Sequence, residues 1–159
     1  MIAINPDLFA ELDPLGRRVI MTHESTHYAT GAARSAGPTW LVEGYADYVA
    51  LSAAHVPLRV SVGGTQAYLR DHGLPHELPA QADFSEHDPA TTLRSYALSM
   101  LAVRFIADEY GQSRLDSFYT DVVTEQGSLG RAVHDDLSTS IPALTKGWRA
   151  SLRELIDAA

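Results

Sequence analysis

The chain has 159 residues, with an apolar fraction of 45%, a charged fraction of 20% and a formal net charge of -8. Length and composition predict one soluble globular domain, and the acidic balance disfavours nucleic acid and anionic membranes as partners. Because cysteine is absent, disulfide scaffolds, cysteine-based zinc knuckles and thiol nucleophiles are excluded. No apolar run approaches the length of a membrane span, so we expect no direct membrane insertion of this chain. Two alternatives stay open for the compartment: a cytoplasmic protein, or the extracellular or cell-envelope part of a longer protein. The oligomeric state also stays open.

The first third of the sequence predicts a short strand followed by two helices. Apolar residues 2–4 are typical of a strand end, because the proline that follows cannot donate to a ladder. Asp13 as N-cap and Gly31 as a stop signal delimit a helix over about 14–30. A second helix is predicted over about 39–54, after a Gly-Pro turn.

The rest of the chain predicts an irregular connection and a group of helices. The connection, 57–88, is rich in glycine and proline and contains one short strand at Leu58–Val62 and one helical segment at 65–71. A helix that is apolar on all sides follows, with Asp88 as N-cap, and its pattern is typical of a buried position. Three further amphipathic stretches are predicted at about 113–125, 129–136 and 141–157.

These elements predict a mainly α fold, α+β at most. We expect a helix pair within 1–56 that packs on a C-terminal helical bundle within 89–159, with a small or truncated N-terminal β element. The whole chain, 1–159, is then one domain, and it is either complete or a piece of a longer protein.

The first of the two helices carries the motif His23-Glu24-Ser25-Thr26-His27. Histidines at positions i and i+4 lie on one face of a helix, with Cβ atoms roughly 5–6 Å apart. Both Nε2 atoms can therefore point at one Zn²⁺ ion and supply half of a tetrahedral shell. Glu24 flanks that face and can act as general base toward a water molecule without being a ligand itself. The alternative is an exposed helix with two solvated histidines.

The second helix carries two acids, Glu43 and Asp47, on one helical face. One carboxylate can be the third metal ligand, while the other accepts a hydrogen bond from the free Nδ1–H of a ligand histidine. Two solvated acids on a surface helix are the alternative. The apolar residues around them make free exposure of this helix the less favoured reading.

The residues His23-Glu24-x-x-His27, followed by Glu43 and then Asp47, resemble the gluzincin metallopeptidases, the group to which thermolysin belongs. The segments HESTHYAT, PTWLVEGYADYV and SYALSMLAVRFIADEYG look like bacterial peptidase-MA-like families, and the resemblance covers roughly residues 4–111. It implies His23, His27 and Glu43 as zinc ligands, Glu24 as general base and Asp47 as the partner of His23.

Three positions distinguish the chain from related zinc enzymes. Val42 stands where thermolysin has an asparagine before its ligand glutamate, which weakens kinship with thermolysin itself. Thr30 and Ala33 occupy the positions of the metzincin glycine and histidine, so that class is excluded.

Gluzincins also hold peptide substrates along an edge strand before the active-site helix. Here that edge is either residues 1–5 or a segment that this chain lacks.

Tyr96 opens the apolar run of the long helix, and the family resemblance suggests a phenol that donates to the oxyanion opposite the zinc. A core tyrosine bonded to the backbone is the equally favoured alternative. The remaining histidines lie in predicted loops or on polar faces, where solvent exposure is expected. They are His55, His72, His76, His87 and His134.

The sequence therefore predicts a zinc metallopeptidase that uses one Zn²⁺ ion and acts on a peptide or protein substrate. The alternative is a non-catalytic zinc-binding helical domain that serves as a protein-interaction module. A structural zinc site is closed by a fourth protein ligand, whereas a catalytic site keeps that position for water. The motif offers three good ligands, which favours the enzyme.

Overall fold

A computed structural model describes residues 6–84 and 88–158, and these residues form nine α-helices and no strand. The mainly α prediction is confirmed for this part of the chain. The helices are α1 (Pro6–Glu11), α2 (Pro14–Thr30), α3 (Thr39–Ala53), α4 (Leu58–Ser61), α5 (Thr65–His72), α6 (Pro89–Tyr110), α7 (Gln112–Tyr119), α8 (Leu129–Asp135) and α9 (Ile141–Asp157). Short 3-10 turns lie at Ala32–Arg34 and Gln81–Phe84, and a π-helical segment spans Thr120–Thr124.

The long helix α6 lies at the centre of the fold, as its apolar pattern predicts. It packs against α3, α7 and α9. Its buried side chains include Leu101, Val103 and Ile106, and α9 contributes Trp148 and Leu152 to the same core. Burial of such side chains stabilises the fold by roughly 1.5–3 kcal/mol each. Packing against α6 therefore holds α3, and the side chains that it carries, at the centre of the fold.

Helix α2 is a peripheral helix that packs on α3, and none of its residues is fully buried. Its two ends are well capped. The side chain of Asp13 accepts from the Gly16 N–H at 2.7 Å, and Gly31 takes the left-handed conformation that closes the helix. The predicted bounds of 14–30 are confirmed. Local capping rather than core burial delimits this helix.

The strand predicted at Leu58–Val62 is wrong, because this segment forms the short helix α4. Val60 N–H and Ser61 N–H both donate to the Pro57 carbonyl, so the backbone satisfies its hydrogen bonds locally. A lone strand would leave those groups unpaired. The helical turn also buries Val62, which is 2% exposed.

The structure differs from prediction at two other places, and a third prediction falls outside the residues that it describes. Helix α1 was not predicted, although Asn5-Pro6-Asp7 is a typical helix-start sequence. The strand expected at residues 2–4 lies outside the described residues. The stretch predicted at 113–125 divides into α7 and the π-helical segment. No helix of the described ranges combines the length and the apolar character that crossing a bilayer requires.

Candidate metal centre

His23 and His27 lie one turn apart on α2, and their side chains converge. Their Nε2 atoms are 2.9 Å apart, and the rings meet edge to face with centroids 4.5 Å apart. Both side chains are 16% exposed. The separation follows directly from helical spacing, since residues i and i+4 share one face.

Helix α3 brings Glu43 to the same point. The Glu43 Oε2 atom lies 3.3 Å from His23 Nε2 and 3.4 Å from His27 Nε2. This contact depends on the packing of α2 on α3, because the two helices are joined only by a turn and by side-chain contacts. Two imidazole nitrogens and one carboxylate oxygen thus form a nearly regular triangle.

The triangle has the dimensions that a tetrahedral metal ion requires. Zn–N and Zn–O distances are roughly 2.0–2.1 Å. The three measured separations define a circle with a radius of about 1.9 Å, so a point about 0.9 Å from its plane lies about 2.05 Å from every donor atom. Within residues 6–84 and 88–158, this is the one group of three such ligands close enough to hold a metal ion. The donor set fits zinc.

Asp47 lies one turn beyond Glu43 and contacts the opposite nitrogen of His23. Its Oδ1 atom is 2.7 Å from His23 Nδ1. The contact assigns one ring proton to Nδ1, which donates to the carboxylate, so Nε2 is the nitrogen that faces His27 and Glu43. The structure therefore distinguishes the two acids of α3 by the nitrogen that each contacts.

The charges around His23 favour a cation at this point. Burial lowers the pKa of His23, but the hydrogen bonds and charges of Asp47 and Glu43 outweigh burial and raise it to about 9. Burial raises the pKa of Glu43, whereas its hydrogen bonds to His23 and His27 outweigh burial and lower it to about 2. The carboxylate is therefore ionised at neutral pH, and the site stabilises positive charge.

Two further predicted residues lie beside the triangle. Glu24 lines a cavity of about 600 Å³ together with His27, and it is half-buried. Burial first, and then the charges of Glu43, Asp47 and Glu24, raise the pKa of Tyr96 to about 12. The Tyr96 hydroxyl therefore stays protonated at neutral pH and can donate a hydrogen bond. Its ring also packs edge to face on Phe84.

Sequence reasoning missed Tyr119 as a neighbour of the centre. Its hydroxyl is 3.1 Å from Thr30 Oγ1, which donates in turn to the Thr26 carbonyl. Burial raises the pKa of Tyr119, the bond to Thr30 lowers it, and the charge of Glu43 raises it. No local pattern marks this residue, because it reaches the site from a helix 89 positions further along the chain than Thr30.

Four further histidines of the described residues do not join the centre. In the described part of the chain they are all exposed, as predicted, and they are His55, His72, His76 and His134. His87 lies outside the described residues.

Comparison of the chain with protein-family models, with curated proteins and with solved structures finds no match. The resemblance to gluzincins therefore stays a prediction carried by the motif residues. The function has to be argued from the geometry of the site.

Proposed function

We propose that the protein is a zinc-dependent hydrolase of peptide bonds of the gluzincin type. One Zn²⁺ ion is held by His23, His27 and Glu43. The observation that carries the proposal is the convergence of three donor atoms within 3.4 Å of one another, with Asp47 bonded to the far nitrogen of His23. In this proposal α2 and α3 are the zincin-like helix pair.

The protein side chains have distinct tasks in this reaction. Zinc supplies Lewis acidity and lowers the pKa of water when it is bound. Glu24 takes the proton of the attacking water and later delivers it to the leaving amine. Asp47 holds the His23 ring in the tautomer that leaves Nε2 free. Tyr96 donates a hydrogen bond to the oxygen on which negative charge develops.

The alternative is a non-catalytic zinc domain in which the metal joins α2 and α3. Such a site needs a fourth protein ligand. The candidate ligand group of the described residues has three members, and Glu24 lines an adjacent cavity where a substrate can approach. These two features favour the enzyme over the structural site.

Metal analysis and peptide cleavage test the proposal together. The purified protein should contain one zinc ion per chain, and a chelator should remove both the metal and the cleavage of an unstructured peptide pool. Glu24→Gln should keep the zinc and lose cleavage by roughly 10²- to 10⁴-fold, because only the general base is changed. His23→Gln and His27→Gln should lose the metal itself.

His76→Gln is the matched control, because this exposed histidine is not part of the metal centre. It should keep both zinc and activity. Stoichiometric zinc with no cleavage by the wild-type protein would instead favour the structural alternative. A protein without zinc, or a Glu24→Gln variant as active as the wild type, would contradict the proposed function.

A further inference from the structure

A cavity of about 600 Å³ begins at the metal centre and extends past the C-terminal end of α2. Its volume lies within the range of roughly 300–1,000 Å³ that is typical of sites for small ligands. The residues that line it are Glu24, His27, Tyr28, Ala29, Gly31, Ala33 and Arg34. A ligand in this cavity therefore touches both the proposed base and one of the proposed metal ligands.

Arg34 is the one permanently cationic side chain in that lining. It ends the 3-10 turn that follows α2, where its N–H donates to the Gly31 carbonyl at 3.0 Å. Its Nη2 atom is 3.9 Å from the position that a Cβ on Gly31 would take. Gly31 has φ of 70°, so a short, defined turn positions the guanidinium at the wall of the cavity.

Arg34 is an exposed side chain at the wall of the cavity. Within the described ranges no carboxylate forms an ion pair with it. Arg17, by contrast, donates to the carbonyls of Phe9 and Ala10, and Arg104 pairs with Asp108. The guanidinium donors of Arg34 are therefore available to a group that enters the cavity.

A negatively charged substrate that approaches the metal centre needs a nearby cation to offset the repulsion from the acids of the site. Glu24, Glu43 and Asp47 repel a negative charge that approaches the centre, and the chain as a whole carries a net charge of -8. We propose that Arg34 binds a carboxylate of the substrate and so selects peptides that carry one next to the cleaved bond. The inference rests on the proposed peptidase function and adds a substrate class to it. The planar guanidinium matches a carboxylate through two parallel hydrogen bonds.

The carboxylate has two chemical sources, the free C-terminus of a peptide or an Asp or Glu side chain, and one binding experiment separates them. The ligands are three dansyl-labelled hexapeptides based on the sequence Ala-Ser-Phe-Gly-Ala-Ala. The first has this sequence with a free C-terminal carboxylate, and the second has it with a C-terminal amide. The third also ends in an amide and has Asp in place of Ser. Fluorescence anisotropy gives Kd for zinc-loaded Glu24→Gln protein, which should not cleave them, and for metal-free wild-type protein.

We expect Arg34→Gln to raise Kd roughly 3- to 30-fold for the peptide with the relevant carboxylate. The Kd of the neutral amide should not change. An effect on the first peptide identifies the C-terminus as the recognised group, and an effect on the third identifies an acidic side chain. Arg34→Lys should give an intermediate Kd, and Arg59→Gln, which removes an exposed arginine of α4 outside this cavity, should have no effect.

Three results would overturn the assignment. They are equal Kd values for wild type and Arg34→Gln, an equal loss for all three peptides, and no binding of any peptide to the wild-type protein. Failure of the proposed function is distinguishable from failure of this assignment. If the protein binds no zinc, peptide binding to the metal-free wild-type protein and its Arg34→Gln variant still tests the role of Arg34. If the Arg34→Gln variant still cleaves the neutral amide peptide, the proposed function stands whatever the role of Arg34.

Discussion

Gly44 lies where α3 crosses α6, directly after the proposed ligand Glu43. A Cβ atom at this position would lie 2.5 Å from the Ser99 carbonyl oxygen and 2.6 Å from the Ser99 carbonyl carbon. Both are backbone atoms of α6, so no side-chain rotation relieves the contact. Gly44→Ala therefore forces the two helices apart.

The size of the effect follows from that distance. Ordinary contacts begin at 3.4 Å, so the helices must separate locally by about 0.9 Å. Overpacking of a core costs typically about 1–3 kcal/mol, and a backbone clash belongs at the upper end. The higher helix propensity of alanine than of glycine offsets about 1 kcal/mol of this cost. The net loss is about 2 kcal/mol, which lowers Tm by about 4–8 °C for a chain of this length.

Thermal unfolding followed by circular dichroism in the presence of chelator measures this loss. Gly130→Ala in α8 is the matched control, because its Cβ would meet only the Ile141 side chain, at 3.9 Å. We expect this variant to raise Tm by up to about 2–4 °C. Gly44→Ala should also weaken zinc binding, since Glu43 moves with α3. A Gly44→Ala protein as stable as Gly130→Ala would refute the close approach of α3 and α6.

Three further predictions concern single side chains. Asp47→Ala should raise the Kd for zinc roughly 10- to 100-fold in competition with a chelating dye, because His23 loses its partner; an unchanged Kd contradicts that role. Tyr96→Phe should lower kcat about 10-fold or more with zinc content unchanged, whereas an unchanged kcat assigns the residue to packing alone. Burial, and then the charges of Asp121 and Asp135, raise the pKa of Asp136 in the folded protein. The folded state therefore binds that proton more tightly than the unfolded chain, and ionised Asp136 costs stability at neutral pH. Asp136→Asn should raise Tm by about 1–3 °C at neutral pH, with the gain lost below about pH 4, and an equal gain at both pH values would disagree.

Local sequence signals predicted the helices that carry their own start and stop residues. Asp13 and Gly31 delimit α2, and Asp88 begins α6, as predicted. Capping bonds join residues that are neighbours in the chain, so they are readable without tertiary contacts. Helix α4 was mispredicted because a short apolar run has no reliable period.

The sequence by itself determined that His23 and His27 share a helical face and that Glu43 and Asp47 share another, because helical spacing alone sets both relations. Helical spacing left open which acid faces the histidines' shared point, and only the resemblance to gluzincins named Glu43. Packing of α2 on α3 decided that Glu43 reaches both Nε2 atoms and that Asp47 reaches Nδ1 of His23.

Tertiary structure alone also placed Arg34 beside Glu24 and brought Tyr119 to Thr30. No periodic pattern in the sequence predicts either pair. The first depends on how the turn after α2 folds back, and the second depends on how helices far apart in the chain cross. The close crossing at Gly44, where only a residue without a Cβ fits against α6, is the physical condition that seats α3 and its two acids in this packing.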